Sequence, residues 1–295
     1  MQKEVNMKGW LVVNTFMDNQ KFQNLYQLLS DAFLKHNVSL DIKRAQDISL
    51  EVGKPIIDKP DFVVFWDKDI CLAKRLEQNG IRLFNSASAI ELCDNKILMY
   101  QELAKYSIRI PRTFIAPKTF EGLGYKKLSF VDAIVNEIGW PIVIKEAYGS
   151  FGEQVYLANN KEDALRIIDR IGYKDFLIQE FISSSRGRDV RVNVVGDRAI
   201  VSMLRENKND FRSNISSGGN GVEYKPKKEY EDLAIKAAKA LGLSFGGVDI
   251  MFGKEEPILC EVNSNPQFAS TLKATGVNLA SYIVDYILRQ LWKVG

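Results

Sequence analysis

Asp249, Glu261 and Asn263 carry oxygen donors on two short apolar runs, Phe245 to Phe252 and Pro257 to Val262, which flank a polar turn. The runs predict a hairpin with Asp249 on one strand and Glu261 on the other. Because side chains alternate across a strand, Glu261 and Asn263 point to one face, and the register can bring three hard donors together. Such a set suits Mg²⁺, which prefers oxygen and keeps waters and substrate phosphates in its shell, so few protein ligands suffice. A plain hairpin carrying surface charge is the alternative reading of the same residues.

Lys145 is the one basic residue in the apolar strand Pro141 to Glu146, and it precedes Tyr148-Gly149-Ser150-Phe151-Gly152. A lysine fixed on a strand reaches phosphate oxygens as a point charge, while glycines let backbone N–H groups close over phosphates. The same Gly-x-x-Gly spacing also suits an ordinary turn. The chain has no G-x-x-x-x-G-K-[ST] loop: Gly246 to Lys254 fails the spacing and Glu255 stands at the Ser/Thr position. Gln179-Glu180-Phe181-Ile182 leaves a strand and either offers a carboxylate and backbone groups to an adenine edge or merely ends the strand. Asp189, beside Arg188 and Arg191, suits a structural ion pair or a ribose hydroxyl. Arg205 and the run Asp210-Phe211-Arg212-Ser213-Asn214 add cations and amides where the chain approaches the hairpin.

Composition narrows the classes. The 295 residues carry 40 basic and 37 acidic side chains, net +3, with no polybasic block to follow a nucleic-acid backbone, so no nucleic-acid partner is expected. Cys71, Cys93 and Cys260 are odd in number and set in apolar runs, which predicts buried free thiols rather than disulfides or a zinc site. His36 is the single histidine, at a helix end, so histidine triads and multi-histidine metal sites are excluded and a surface position is expected. Met1 to Asn6 lacks an apolar signal core, and no stretch of 18 apolar residues occurs, so a cytoplasmic protein without membrane contact is expected.

The positioning elements follow. Trp10–Val13, Phe22–Leu34, Ser39–Ile42, Phe62–Trp66, Cys71–Gln78 and Arg82–Phe84 alternate strand and helix, predicting a small α/β unit with a parallel sheet. It lacks the glycine fingerprint of dinucleotide domains, having Asn14-Thr15-Phe16 after the first strand. Asp94 reads as the N-cap of a helix over 95–106, and Pro111 opens an extended segment. Helices are expected over 130–138 and 161–171, with strands over 141–146, 154–158 and 176–182. A hairpin over 190–205 turns at Gly196-Asp197. A helix over 228–241 stops at Gly242, and a terminal helix spans 277–292. Asn207 to Gly221 is the candidate mobile loop.

Taken in order, Phe84-Asn85-Ser86-Ala87, Cys93-Asp94-Asn95-Lys96, Ile144-Lys145 with Gly149 and Gly152, Gln179-Glu180-Phe181-Ile182, Gly187-Arg188-Asp189-Val190-Arg191, Asp210 to Asn214, Gly246-Gly247-Val248-Asp249 and Glu261 to Asn265 resemble the RimK-like family of ATP-grasp ligases over nearly the whole chain. The resemblance implies an α/β (α+β) ATP-grasp fold with an N-terminal Rossmann-like pre-ATP-grasp domain at 1–93. An ATP-grasp N-terminal subdomain at 94–182 and a C-terminal subdomain at 183–295 follow. It implies that Lys96 and Lys145 contact ATP phosphates under the Gly149, Ser150 and Gly152 loop, that Gln179, Glu180, Phe181 and Ile182 frame the adenine, and that Asp189 takes the ribose. Arg212, Ser213 and Asn214 fall near the phosphates and acceptor, and Arg191, Arg205 and Arg212 are the cations for the reacting groups.

Asp249, Glu261 and Asn263 would hold two Mg²⁺, with Mn²⁺ able to substitute. The implied activity is an ADP-forming carboxylate–amine ligase working through an acyl phosphate. It would join an amino acid such as glutamate to a small-molecule, peptide or protein acceptor, and a homo-oligomer is compatible. A silent nucleotide-binding scaffold is the alternative. One departure bears on the substrate: Ser264-Asn265-Pro266-Gln267-Phe268 stands where the family pattern has a glycine-containing Ser-Pro-Gly turn.

Overall fold

The computed structural model describes residues 7–17, 19–48, 51–215 and 218–293. Met1 to Asn6, where the absent signal core was read, and Ser216 and Ser217 of the polar loop lie outside the described residues. The first unit comprises β1 (Lys8–Val13), α1 (Gln20–Leu34), β2 (Ser39–Arg44), β3 (Phe62–Trp66), α2 (Ile70–Gln78) and β4 (Arg82–Phe84). Its strands form a parallel sheet of order β2-β1-β3-β4, the arrangement that helical crossovers between neighbours permit. Phe62 and Val64 pack with Leu25 and Phe33 on one face, and Val63 and Phe65 with Leu72 and Leu76 on the other, so β3 reads as a continuous apolar run.

Two helices follow, α3 (Ala87–Asp94) and α4 (Lys96–Lys105). Asp94 ends α3 rather than capping α4, which corrects the sequence expectation. The cap is Asn95, whose extended backbone lets Oδ1 accept from the N–H groups of Ile97 and Leu98 at 3.0 and 3.2 Å.

The second sheet holds β5 (Thr113–Ile115), β6 (Ile142–Glu146), β7 (Val155–Ala158) and β8 (Phe176–Glu180) in antiparallel order β5-β8-β6-β7, with α5 (Ser129–Ile138) and α6 (Lys161–Ile171). Ile142, Ile144, Phe176 and Ile178 meet Val131, Ile134, Ala164 and Ile168 of these helices. Period-two alternation then puts Val143, Lys145 and Gln179 on the opposite face.

The third sheet, order β11-β10-β9-β12-β13, contains β9 (Arg188–Val195), β10 (Arg198–Glu206), β11 (Asn220–Glu223), β12 (Phe245–Met251) and β13 (Ile258–Asn263), backed by α7 (Lys228–Ala240). Val190, Val192, Val194, Val248 and Ile250 pack on Ala234, Ala237 and Ala238 of α7. β11 begins at the end of the stretch expected to be a loop and runs two residues past it; its Asn-Gly-Val-Glu sequence has no apolar alternation, and pairing with β10 supplies its order. The expected terminal helix is α9 (Leu279–Trp292), capped by Asn278, and an unexpected short helix, α8 (Ala269–Thr275), precedes it and ends where Gly276 turns left-handed at φ 72°. Ile283, Val284 and Ile287 of α9 return to Leu25, Leu29 and Phe33 of α1.

Asn85 locks these units. Its Nδ2 donates to the carbonyls of Phe245 and Ser264 at 2.9 and 2.8 Å, and its Oδ1 accepts from the N–H groups of Ser244 and Phe245 at 2.7 and 3.3 Å. Every hydrogen-bonding position of this buried amide joins the end of β4 to β12 and to the turn after β13. Asn85→Ala strands those backbone groups and is expected to cost about 3 kcal/mol. The thermal midpoint should drop by several degrees, at roughly 2–4 °C per kcal/mol. An unchanged midpoint would mean that these bonds are replaceable.

Candidate functional site

The second and third sheets present their uncovered faces to each other, and register decides what meets there. Met203, Arg191, Asp249 and Glu261 are direct cross-strand partners on β10, β9, β12 and β13, and Arg205 stands opposite Asp189 one pleat away. Asp249 opposite Glu261 is the juxtaposition the hairpin sequence predicts.

The charges are already matched. Arg191 donates to both Asp249 oxygens, Nε to Oδ1 at 2.6 Å and Nη2 to Oδ2 at 2.7 Å. Arg205 donates to both Asp189 oxygens at 2.8 and 2.5 Å, and its Nη2 lies 2.9 Å from Asp249 Oδ2. Burial pushes the Asp249 carboxyl up, but the Arg191 and Arg205 guanidiniums beside it outweigh that and hold it below the usual carboxylate range. Lys96 Nζ approaches Glu261 Oε1 at 3.5 Å and donates to the Gly149 carbonyl at 3.2 Å.

Lys145 is buried, with Nζ 3.2 Å from the Tyr100 hydroxyl, which itself donates to the Cys260 carbonyl. Burial alone would lower its pKa; Tyr100, Cys260 and Glu261 together hold it above the ordinary lysine range, so it stays a cation. Burial pushes the Cys260 thiol up to about 11, which removes it as a nucleophile at neutral pH. Gly152 has φ 78°, and a Cβ there would fall 2.7 Å from Asn214 Oδ1, so glycine is required where the loop meets the 211–214 segment. Arg212 donates from Nη1 to the Gly152 carbonyl at 2.5 Å and pairs with Asp210 at 2.7 Å.

Two adjoining cavities result. The first collects Lys96, Lys145, Gly152, Gln179, Glu180, Phe181, Ile182, Asp189, Arg205, Arg212, Ser213, Asn214, Asp249 and Glu261. The second takes Ser150, Arg191 and Asn263, together with Arg205, Asn214 and Glu261, which line both. Gly149 lines neither and acts through its carbonyl. Within the first cavity Asp189 has both oxygens on Arg205. Glu180 accepts the Arg112 N–H at 2.9 Å, and Gln179 donates to Thr113 Oγ1 at 2.8 Å.

The sequence reading missed Tyr100, although it lies one helical turn beyond Lys96 and so shares its face. It also missed Asn14, Asp67 and Lys68, which line the second cavity at the carboxyl ends of β1 and β3, where open parallel sheets place ligands. Cys71 is exposed rather than buried, and His36 is an exposed partner of Asp285 at 3.3 Å.

Comparison with known proteins decides the family. A model of the RimK-like ATP-grasp domain matches residues 93–287. The chain belongs to the RimK-like ATP-grasp family. A probable alpha-L-glutamate ligase from Maridesulfovibrio salexigens is 34% identical over 220 residues, covering 73% of this chain and 70% of that protein. A RimK-domain ATP-grasp protein from Sphaerobacter thermophilus aligns with TM-score 0.74 at 20% identity, over 95% of this chain and 98% of that one. The ATP-grasp ligase PsnB, in complex with a precursor variant, Mg and ADP, aligns with TM-score 0.69 at 16% identity, over 96% and 98% of the two chains. This RimK-like protein is an ATP-dependent, ADP-forming ligase that makes amide bonds. Among the described residues no helix is long and apolar enough to cross a membrane, and no group of three His, Cys, Asp or Glu gathers as a metal cluster.

Asp249→Asn should leave two buried guanidiniums short of charge and cost about 3–5 kcal/mol at neutral pH. Because the folded Asp249 pKa is depressed, its contribution is complete above the unfolded carboxylate value of about 4 and fades as pH falls below it. Urea titrations at neutral and acid pH should show the two proteins converging towards acid. A gap that is constant with pH would contradict the pairing.

Proposed function

We propose that this ligase phosphorylates a substrate carboxylate from ATP and couples the acyl phosphate to an amine, adding glutamate or a similar amino acid to a small-molecule, peptide or protein acceptor. The observation carrying this reading is the shared wall between the cavities: Arg205, Asn214 and Glu261 border both, so a phosphoryl group leaving a nucleotide in the first would reach a carboxylate in the second. In the first step a carboxylate oxygen bonds to the γ-phosphorus and ADP leaves. In the second, amine nitrogen bonds to the acyl carbon, phosphate leaves, and the amine proton passes to solvent or a base.

Lys96 and Lys145 supply fixed positive charge, the 149–152 loop closes over the phosphates, and Glu180, Phe181 and Ile182 border the adenine. Arg205 and Arg191, held rigid by Asp189 and Asp249, keep their charge where anionic oxygens develop. Asp249, Glu261 and Asn263 fit a magnesium site by donor chemistry: two carboxylates and an amide on neighbouring strands, all hard oxygens, with room in the shell for phosphates. When bound, Mg²⁺ would neutralise charge on the transferring phosphoryl group. A relative called a glutamate ligase and a PsnB complex with Mg and ADP support this assignment.

Mg-ATP at one hundred times its dissociation constant should stabilise the protein by about 2.7 kcal/mol, read as a rise in thermal midpoint that EDTA abolishes. Lys145→Met keeps the apolar stem on β6, so circular dichroism should be unchanged while ATP affinity falls at least about tenfold. Unaltered affinity would remove Lys145 from the nucleotide site.

Glu261→Ala separates the enzyme from a silent scaffold. The variant should fold with a midpoint near that of the parent, since Glu261 is half-buried and its contact with the Lys96 ammonium is a loose 3.5 Å. ADP release should fall by several orders of magnitude because a metal ligand is gone. Wild-type turnover in the folded variant would refute the ligase assignment of the hairpin.

A further inference from the structure

Amide formation sheds a proton. As the amine nitrogen bonds to the acyl carbon it must lose one, and a group held beside it in the second cavity can take it. Among the described residues, the side chains bordering that cavity that can gain or lose a proton are Lys21, Asp67, Lys68, Arg191, Arg205 and Glu261. The four cations arrive already protonated. Arg191 and Arg205 are besides engaged by Asp249 and Asp189, and Lys68 by Asp94 at 2.6 Å. Glu261 belongs to the hairpin and is taken up there as a proposed magnesium ligand. That leaves Asp67.

Asp67 follows β3 directly, is 6% exposed and borders the cavity. Its neighbour Trp66 stacks on Phe245 at the head of β12 with ring centroids 5.4 Å apart, and Asn265 Nδ2 donates to the Asp67 carbonyl at 2.8 Å. Asn265 lies two residues beyond Asn263, so Asp67 is anchored beside the hairpin. Its Oδ1 accepts from Asn14 Nδ2 at 3.0 Å and from the Lys68 N–H at 2.7 Å, while a longer bond of 3.3 Å from the same Asn14 amide holds Oδ2. Among the described residues no lysine or arginine side chain pairs with this carboxylate. Burial raises its pKa, and the Asp69 charge adds to that, against hydrogen bonds from Asn14 and from the Lys68 and Asp69 N–H groups. A carboxylate withdrawn from water and left without a cation is a stronger base than one on the surface.

We infer that Asp67 is the general base of amide formation, its carboxylate taking the proton shed by the attacking amine in the second cavity. The nitrogen lone pair bonds to the acyl carbon, the carbon–oxygen bond to phosphate breaks, and its electron pair leaves with the phosphate. The N–H proton passes to Asp67, which returns it to solvent through the cavity mouth. Asn14 is the positioning residue: its Oδ1 accepts the Phe16 N–H at 2.9 Å, which turns Nδ2 towards both carboxylate oxygens. A carboxylate that merely closed the turn into α2 would need its acceptor oxygens and not its basicity. Asparagine keeps such an oxygen and has no basicity, so it separates the two roles. The inference rests on the ligase reading and adds a catalytic residue to it.

The test supplies the full chain with Mg-ATP and a pool of the proteinogenic L-amino acids, with and without hydroxylamine. Hydroxylamine is uncharged at neutral pH and traps an acyl phosphate as hydroxamate without help from a base. ADP, hydroxamate and amide are each quantified, the amide by mass spectrometry. Asp67→Asn should lower amide formation at least about 100-fold, within the range of general acid–base catalysis, and keep both hydroxamate formation and the nucleotide-induced thermal shift. The wild-type advantage should peak near neutral pH. It shrinks in acid as Asp67 gains its proton, with a pKa above the ordinary carboxylate value of about 4, and in alkali as the free amine needs no base. Lys21, Lys68, Arg191, Arg205 and Glu261 border the cavity in both proteins, so their titration cancels in that ratio. Asn14→Ala should lower amide formation in the same sense and to a smaller extent.

Unaltered amide formation in Asp67→Asn, or a loss that is constant with pH and shared by hydroxamate, overturns the base. Should Asp67→Asn not fold, Asn14→Ala decides in its place: amide lost with hydroxamate kept supports the base, and equal losses or none overturn it. A wild type that yields hydroxamate but no amide overturns it too, because a site with its base in place passes a free amino group. A wild type that releases no ADP would instead overturn the ligase reading beneath it.

Discussion

The buried Asp189–Arg205–Asp249–Arg191 chain is the constraint on which the site depends. Two carboxylates and two guanidiniums cancel within it, and only that cancellation makes four charges tolerable between two sheets, since a lone buried ion costs several kcal/mol. The pairing is possible because Arg191 stands directly across from Asp249, and Arg205 across from Asp189, in a ladder whose other face is a valine-rich core against α7. A slip of one residue in β9 would turn Asp189 and Arg191 into that core and Val190 and Val192 towards the cavities. The apolar face therefore enforces the polar one. Its dipoles and charges are set before any substrate enters, which is the condition under which electrostatic stabilisation of a transferring phosphoryl group costs no reorganisation.

Much of this was legible in the sequence where two signals agree. The hairpin bearing Asp249 and Glu261 shows alternating runs, a polar turn and paired carboxylates, and its register came out as the pattern implies. Lys145 stands out as the lone charge in an apolar strand, and it faces the cavity because Ile142 and Ile144 are claimed by the helices behind. The parallel order of the first sheet followed from its strand–helix alternation. What stayed illegible depends on partners distant in the chain. β11 exists because β10 offers an edge, α8 is a short helix ended by a left-handed glycine, and the choice of Asn95 over Asp94 as cap rests on backbone angles. The pairing of both arginines with aspartates was also beyond reach, since residues 189, 191, 205 and 249 show their ladder only once the strand order is known.

Tyr100 shows how the helix between units transmits position. Its hydroxyl accepts from Lys145 and donates to the Cys260 carbonyl, so one α4 side chain ties β6 of the second sheet to β13 of the third. Lys96, one turn earlier, spans the same gap from the Gly149 carbonyl to Glu261. Lys68 reaches from the first unit to Asp94 and to Ser150 Oγ at 3.2 Å. Each of these three lysines is thus also a strut between elements, and on the proposed reading closing the glycine loop on a nucleotide would be felt on all three sheets.

That coupling bears on how two substrates are kept in order. Arg205, Asn214 and Glu261 face both cavities, and Asn214 also abuts Gly152, so the loop over the first cavity and the wall of the second are one contiguous set of contacts. On the proposed reading, filling the first cavity fixes the Gly152 and Asn214 contact and with it one side of the second. On that reading, an acyl phosphate formed at the wall would have Phe151 and Ser150 on its loop side and the rest of the second cavity open to the amine. Water is the competing nucleophile for such an intermediate, and a wall fixed by the loop contact would disfavour it by exclusion rather than by any added chemical group.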